Sequence, residues 1–125
     1  MPRTAAQPSE KARKALSRGK KPPTVLALAI SGRLRAIQAE MHKTNEQMAD
    51  MLSVGLSRWT NWVNAENLPQ EEVMIDLCEK AAISMDWLYR GDPSRIELGH
   101  IIRLTARLKG INPDSATADV LRLTQ

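Results

Sequence analysis

The sequence predicts an all-α protein, a bundle of short helices preceded by a basic arm. Apolar residues recur at spacings of three and four in several successive segments, which is the period of a helix with one buried face. Aromatic residues are limited to three Trp and one Tyr. The sequence also lacks the runs of β-branched residues that are typical of strands. Residues that start and end helices separate the segments. The 125-residue chain therefore has room for one helical domain and its appendages.

Residues 1–23 differ in composition from the rest of the chain. They hold seven basic side chains and one acidic side chain, a net charge of +6, and they end at Pro22-Pro23. The remaining 102 residues hold eleven basic and thirteen acidic side chains, a net charge of −2. A segment with so little apolar surface cannot offset the entropy lost on ordering, so we predict a flexible, disordered basic arm.

A domain over residues 24–91 begins with two predicted helices. The first runs from about Thr24 to Met41. The second is short and opens at Thr44-Asn-Glu-Gln47, which has the residues of a capping box. Ser53-Val54-Gly55 then predicts a tight break. The predicted inward positions of the two helices are Ile30, Leu34, Ile37 and Met41, then Met48, Ala49, Met51 and Leu52.

Three further helices complete this domain. The third is predicted from Leu56 to about Asn64, with Leu56 or Trp59, then Trp62 and Val63, facing inward. A loop over residues 65–69 follows, because Pro69 cannot lie inside a helix. The fourth helix is predicted over residues 70–81. Its inward positions are Val73, Met74, Leu77, Cys78 and Ala81. Ser84 caps a short fifth helix over residues 85–89, which Gly91 and Pro93 end.

Residues 92–125 form a predicted helical extension and a candidate dimerisation element. Its main helix is expected from Ser94 to Lys109, and Ala118 to Leu123 can form a last short helix. An apolar stripe on the main helix exceeds what the five-helix core needs, and such a surplus indicates an interface. The stripe consists of Leu98, Ile101, Ile102, Thr105 and Leu108. A homodimer contact and a helix folded back onto its own domain both remain open.

Several motifs between Leu34 and Leu88 point to one family. The run from Thr44 to Leu52 has a hydroxyl cap, then a polar residue, and an Ala five residues past the cap. Trp59-x-x-Trp62 supplies two inward positions one turn apart, and Ile83-Ser-Met-Asp-Trp-Leu88 makes a short closing helix. In order and spacing these motifs resemble the phage-repressor/Cro-like helix-turn-helix family, also called the xenobiotic-response-element (XRE) family.

The resemblance implies a five-helix repressor-like helix-turn-helix bundle with an extra C-terminal helix, which binds double-stranded DNA. The helix over residues 56–64 corresponds to the recognition helix that enters the major groove. Asn45 corresponds to the position where the N-terminus of the second helix meets a phosphate, and the family normally has a Gln at that position. Within the recognition helix, the candidate DNA contacts are Leu56, Ser57, Arg58, Thr60 and Asn61. Asn suits adenine, Arg suits guanine, and a hydroxyl suits either base or phosphate.

The chain departs from the family pattern at three positions. Ser53 stands where the family usually has Gly, and Gly55 stands where it usually has Ser or Thr. The first departure predicts a non-glycine residue near left-handed backbone geometry. Leu56 stands at a position that is usually polar and often reads a base. A leucine there can touch a thymine methyl group or a protein partner.

Two functions follow as hypotheses. The first is a sequence-specific transcriptional regulator, a homodimeric repressor that binds a partly palindromic site. Its basic arm would follow phosphates or enter the minor groove. The arm contacts would be Arg13, Lys14, Arg18, Lys20 and Lys21. The alternative is a protein-interaction module, an anti-activator or antitoxin-like protein, which Leu56 and the slightly acidic body favour.

Other classes of function find no support in the sequence. The sequence has no nucleophile–base pairing, Gly-rich phosphate loop or paired catalytic carboxylates, so we expect that the protein is not an enzyme. Cys78 is the single cysteine, and His42 and His100 lie far apart, so we expect neither a metal site nor a cofactor. The longest apolar run, Val25 to Ile30, is far shorter than a membrane span. We therefore expect a cytoplasmic protein without a membrane partner.

Overall fold

The computed structural model describes residues 22–114 of the chain. Within that range it contains six α-helices and no β-strand, which confirms the predicted all-α class. The helices are α1 (Val25–Met41), α2 (Asn45–Leu52), α3 (Leu56–Val63), α4 (Glu71–Ala81), α5 (Met85–Arg90) and α6 (Leu98–Leu108). None of these helices is long and apolar enough to cross a membrane. The arm up to residue 21 and the short helix predicted from Ala118 to Leu123 lie outside the described residues.

Hydroxyl side chains begin three of the helices. At α2 the capping box is present: the Thr44 hydroxyl accepts from the Gln47 amide at 3.1 Å, and the Gln47 side-chain oxygen accepts from the Thr44 amide at 2.8 Å. Ser84 caps α5 through the Trp87 amide at 3.0 Å. Both of these caps were predicted from sequence. Thr24 caps α1 in the same way, and each cap satisfies an amide that has no partner inside its helix.

The turn between α2 and α3 has the backbone strain that the sequence predicts. Ser53 ends α2 in the left-handed region, at φ 57° and ψ 40°. Its amide and the next one donate to carbonyls at the end of α2, so the turn is hydrogen-bonded and tight. Gly55 precedes α3 in an extended conformation and supplies no side-chain cap. The amides of the first turn of α3 therefore lack a capping partner within the described chain.

Helices α1 to α5 supply most of the core, and α6 contributes one buried residue to it. Trp59 and Trp62 are 0% and 3% exposed, and their rings meet edge to face with centroids 6.4 Å apart, which confirms both as core residues. Leu56, one of two predicted inward residues at the start of α3, is 45% exposed, so Trp59 is the correct choice. The first residue of α3 lies at the turn, before the helix reaches the core. The other residues at the centre of the core are Ile30, Leu34, Ile37, Met48, Met74, Leu77, Leu88 and Leu104.

The sixth helix begins four residues later than predicted. Ser94 was expected to start it, but the Asp92 carboxylate accepts from the Ser94 amide at 2.9 Å and holds a turn there. Ile96 in this connection is buried in the core. The Glu97 side chain then caps the helix by accepting from the Gly99 amide at 3.1 Å. The predicted start at Ser94 is wrong because serine and aspartate form turns as readily as they cap helices.

The sixth helix packs along α1, and its predicted apolar stripe is mostly exposed to solvent. The side that meets α1 contributes Leu104, which is 1% exposed and was not among the predicted positions. Arg103 and Arg107 on this helix both pair with Glu40 of α1. Leu98 and Ile102, on the opposite side, are 71% and 59% exposed. The helix thus folds back on its own domain and still presents an apolar surface.

Candidate nucleic-acid interface

The two faces of α3 differ sharply in chemistry. Trp59, Trp62 and Val63 are buried against α1 and α2. The predicted contact residues of this helix lie on the rest of its surface, where all but the first are polar and where Ser57 and Asn61 lie opposite Trp59. Leu56, Ser57 and Arg58 are exposed, and Thr60 and Asn61 are half-buried. A helix held by its aromatic side therefore offers hydroxyl, guanidinium and amide groups to a partner.

Asn45, at the first position of α2, is bonded to the core anchor of α3. Its side-chain oxygen accepts a 3.0 Å hydrogen bond from the indole nitrogen of Trp59. This bond sets the orientation of the amide, because an acceptor at one end directs the NH₂ group the other way. No described residue accepts from that NH₂ group. The half-buried Asn45 side chain is thus positioned to donate to an anion at the N-terminus of α2.

Arg58 lies in an open groove beside α3. One of its terminal guanidinium nitrogens donates to the side-chain oxygen of Gln70 at 2.8 Å. Gln70 and Asn67 line the groove together with Ser57, Arg58 and Asn61. Since a guanidinium carries five N–H donors in a planar fork, Arg58 keeps donors for a further partner. Sequence reasoning did not single out Gln70 or Asn67, and their only signal was polarity in the segment after α3.

The two hydroxyl residues of α3 are not equivalent. The Thr60 hydroxyl donates to the Ser57 carbonyl oxygen at 3.0 Å, within the helix itself. Its proton is therefore already used, and only its lone pairs are left for a ligand. Ser57 is exposed, and no bond of its side chain is found within residues 22–114. Of the two, Ser57 is the freer donor.

Two hydrogen bonds fix the end of α3 to α1. The buried Ser31 hydroxyl donates to the Val63 carbonyl oxygen at 2.6 Å. Arg35, one turn further along α1, donates to the side-chain oxygen of Asn64 at 3.0 Å. A carbonyl at a helix C-terminus has no partner inside its helix, so the Ser31 bond satisfies one that burial would otherwise leave unpaired. The outward face of α3 is thereby held in a set orientation relative to α1.

The charge near this face is low. Arg58 is the only charged residue of α3, and the exposed Glu46 lies next to Asn45 in the first turn of α2. Residues 22–114 hold ten basic and twelve acidic side chains, a net charge of −2. The predicted arm contacts lie outside the described residues; they are Arg13, Lys14, Arg18, Lys20 and Lys21. Attraction of a polyanion must therefore come mainly from residues that precede Pro22.

Residues 22–114 contain no group of three His, Cys, Asp or Glu side chains placed to hold a metal ion. Burial raises the pKa of the Cys78 thiol to about 11, so this single cysteine is a thiol at neutral pH. No family model matches the chain, and neither a curated protein nor a solved structure matches it.

Proposed function

We propose that the chain is a sequence-specific DNA-binding regulator, in which α2, its turn and α3 form a repressor-like helix-turn-helix. The observation that carries this proposal is the outward polar face of α3. Ser57, Arg58 and Asn61 share one groove wall while Trp59 anchors the helix from behind. Rigid placement of a short polar helix on a compact core is what insertion into a major groove requires.

Four polar side chains have a chemical role in the proposal. Arg58, steadied by Gln70, donates in bidentate fashion to a guanine, and Asn61 pairs with an adenine. Ser57 and the Asn45 amide donate to phosphates, which fixes the register of the helix on the duplex. The basic arm supplies the phosphate neutralisation that the acidic body lacks.

The proposed regulator acts as a homodimer that uses α6. Leu98 and Ile102 expose most of their apolar surface on the side of α6 that faces away from α1. Gly99, Thr105 and Ala106 continue that side, which carries no charge until Lys109. A two-fold dimer through α6 presents two copies of α3, and so favours a partly palindromic site that a repressor can occupy.

A second function is favoured by Leu56. This side chain is 45% exposed at the start of α3, on the surface that is proposed to meet DNA, and residues 22–114 together carry a net charge of −2. An apolar residue and an acidic surface suit a protein partner better than a phosphate backbone. In this alternative the same helix pair binds another protein, as an anti-activator or antitoxin-like module does.

One pair of variants separates the two functions. Under the first, the double variant Arg58→Ala, Asn61→Ala lowers affinity for the selected DNA by about 30-fold or more, since each of the two base contacts contributes about 1–3 kcal/mol. Arg90→Ala removes one exposed positive charge elsewhere and serves as the matched control. If Leu56→Asp abolishes regulation while DNA affinity stays unchanged, the protein-interaction module is the correct function.

A further inference from the structure

Asn64 continues the outward side of α3 past the last residue of the helix. Its backbone amide still donates to the Thr60 carbonyl oxygen four residues earlier, at 3.0 Å, so the helical period extends through it. Asn64 therefore lies three residues after Asn61 and seven after Ser57, on the side of the helix that these two share. Its half-buried side chain adds an amide group at the C-terminal end of that side.

This amide places a guanidinium at the end of α3. Arg35 of α1 is exposed, and one of its terminal nitrogens donates to the Asn64 side-chain oxygen at 3.0 Å. A guanidinium has five N–H donors, and no other bond of the Arg35 side chain is found within residues 22–114. Its remaining donors are therefore available to a ligand beside the outward side of α3.

The positive charge of Arg35 has no counter-charge among the described residues. Its partner is a neutral amide, and no carboxylate within residues 22–114 forms an ion pair with it. On α6, by contrast, Arg103 and Arg107 both pair with the carboxylate of Glu40. Arg58 is also held by a neutral amide. The two arginines beside the outward side of α3 thus keep their charge for an anion.

The anchoring of α3 to α1 does not require this charge. The buried bond from the Ser31 hydroxyl to the Val63 carbonyl oxygen joins the same two helices at 2.6 Å. The Arg35–Asn64 bond lies at the surface, where water competes for both partners, so its net contribution to stability is small. Anchoring alone would not need an arginine, and the unused donors and the charge therefore point to a ligand.

The dimensions of DNA favour a phosphate as that ligand. The major groove of B-DNA is about 12 Å wide, and its walls are formed by the sugar-phosphate backbones. The eight residues of α3 span about 12 Å as well. When the middle of such a helix reaches base edges, a group just beyond its end lies close to a wall. A guanidinium fork matches two oxygens of one phosphate.

We propose that Arg35, oriented by Asn64, binds a DNA backbone phosphate beyond the C-terminal end of α3. This inference rests on the proposed function and adds to it a contact from α1 that no local sequence pattern indicates. Unlike the phosphate contacts proposed for Ser57 and Asn45, this one carries a positive charge. It should therefore contribute to the salt dependence of binding.

DNA binding at several salt concentrations tests the contact. The full-length protein is titrated with two fragments of equal length, one that the wild type enriches from genomic DNA and one unrelated. Arg35→Gln should make the slope of log affinity against log salt shallower by about 0.9 on both fragments, which is about an eightfold loss of affinity in ~0.1 M salt. The ratio of the two affinities should not change, because phosphates carry no sequence information. Arg35→Lys keeps the charge and should keep the slope.

Two control variants separate the phosphate contact from other effects. Arg90→Gln removes an exposed charge from α5 and should leave the slope unchanged. Ser31→Ala removes the buried bond between α1 and α3, so it should melt at a lower temperature and keep the wild-type slope. Arg35→Gln should show the opposite pattern, a melting temperature close to that of the wild type and a shallower slope.

A wild-type slope for Arg35→Gln overturns the inference, and so does a loss of affinity confined to the enriched fragment. An equal loss in Arg90→Gln overturns it as well, because net charge alone would then explain the effect. The proposed function is tested separately by the Arg58→Ala, Asn61→Ala variant. If that variant still distinguishes the two fragments, the proposed function fails whatever the result for Arg35. If the wild type binds neither fragment, both fail.

Discussion

The indole nitrogen of Trp59 donates a 3.0 Å hydrogen bond to the side-chain oxygen of Asn45, and this bond joins the buried side of α3 to the N-terminus of α2. Trp59 has no exposed surface, so its N–H group depends on a protein acceptor. Asn45 lies where the proposed helix-turn-helix meets a phosphate. The bond therefore links the packing of α3 to one of the proposed DNA contacts.

Substitutions of Asn45 should separate stability from DNA binding. Asn45→Ala leaves the buried indole N–H without an acceptor and should lower the free energy of unfolding by about 1–3 kcal/mol. Asn45→Asp keeps the acceptor and adds a negative charge at the start of α2, where the helix dipole favours it. Urea denaturation should show a stable Asp variant, yet its DNA affinity should fall tenfold or more through repulsion from the phosphate. An Asp variant that binds DNA like the wild type rules out the phosphate contact.

The turn before α3 is predicted to gain stability from a glycine. Ser53 has φ 57°, a conformation that costs residues with a side chain about 1 kcal/mol. Ser53→Gly should therefore raise the melting temperature by several degrees, as about 1 kcal/mol does in a domain of this size. Gly91→Ala provides the converse control. Its φ is 77°, and an added Cβ would lie 2.9 Å from the Arg33 guanidinium, so this variant should melt lower. A lower melting temperature for Ser53→Gly would show that the turn is not strained.

The contact between α1 and α6 should weaken in acid. Burial raises the pKa of Glu40, but hydrogen bonds from Arg103 and Arg107 outweigh burial and hold the pKa below its ordinary value. A carboxyl group with a lowered pKa stabilises the fold above its unfolded pKa, near 4.5, and this stability is lost as the pH falls through the folded pKa.

Unfolding measured at pH 7 and near pH 3 tests this contact. Glu40→Gln should lower the free energy of unfolding at pH 7 by about 1–3 kcal/mol and flatten its decline in acid. Glu79→Gln, at an exposed position on α4, should change neither quantity. Equal acid sensitivity of the Glu40→Gln variant and the wild type would contradict this role of the ion pairs.

The proposed dimer surface on α6 is tested by two matched substitutions. Ile102 on α6 and Ile75 on α4 are 59% and 47% exposed, so neither belongs to the core. Ile102→Asp would place two like charges at the proposed two-fold contact, so this variant should be a monomer in analytical ultracentrifugation while the wild type is a dimer. Ile75→Asp should leave the mass unchanged. A dimer that survives Ile102→Asp, or that is broken by Ile75→Asp, places the interface elsewhere.

Local signals in the sequence predict most of the helices. Apolar spacing and hydroxyl caps are properties of neighbouring residues, so α1 to α5 follow from them directly. The left-handed geometry at Ser53 is predicted instead from the resemblance to a family that usually has Gly at that position. The start and the orientation of α6 do not. The helix turns Leu104 inward against the core, and Arg103 and Arg107 reach Glu40, more than sixty residues earlier in the chain. Spacing within one helix carries no information about such a distant partner.

The candidate site is likewise only partly visible in the sequence. A helical period places Ser57 and Asn61 on the surface, opposite Trp59, and places Arg58 at the edge of that surface. The supporting bonds, from Trp59 to Asn45 and from Arg58 to Gln70, join residues 14 and 12 positions apart. They depend on how the helices pack, and no local pattern marks Gln70 as a partner.

The central claim is that α3 reads a DNA sequence. To test it, the purified full-length protein selects genomic fragments at two salt concentrations, and the bound fragments are sequenced. The wild type should enrich a shared, partly palindromic motif that persists at the higher salt, and the Arg58→Ala, Asn61→Ala variant should lose that motif. Fragments held only at low salt, with no shared motif, would contradict sequence-specific binding and leave the arm as a general phosphate binder.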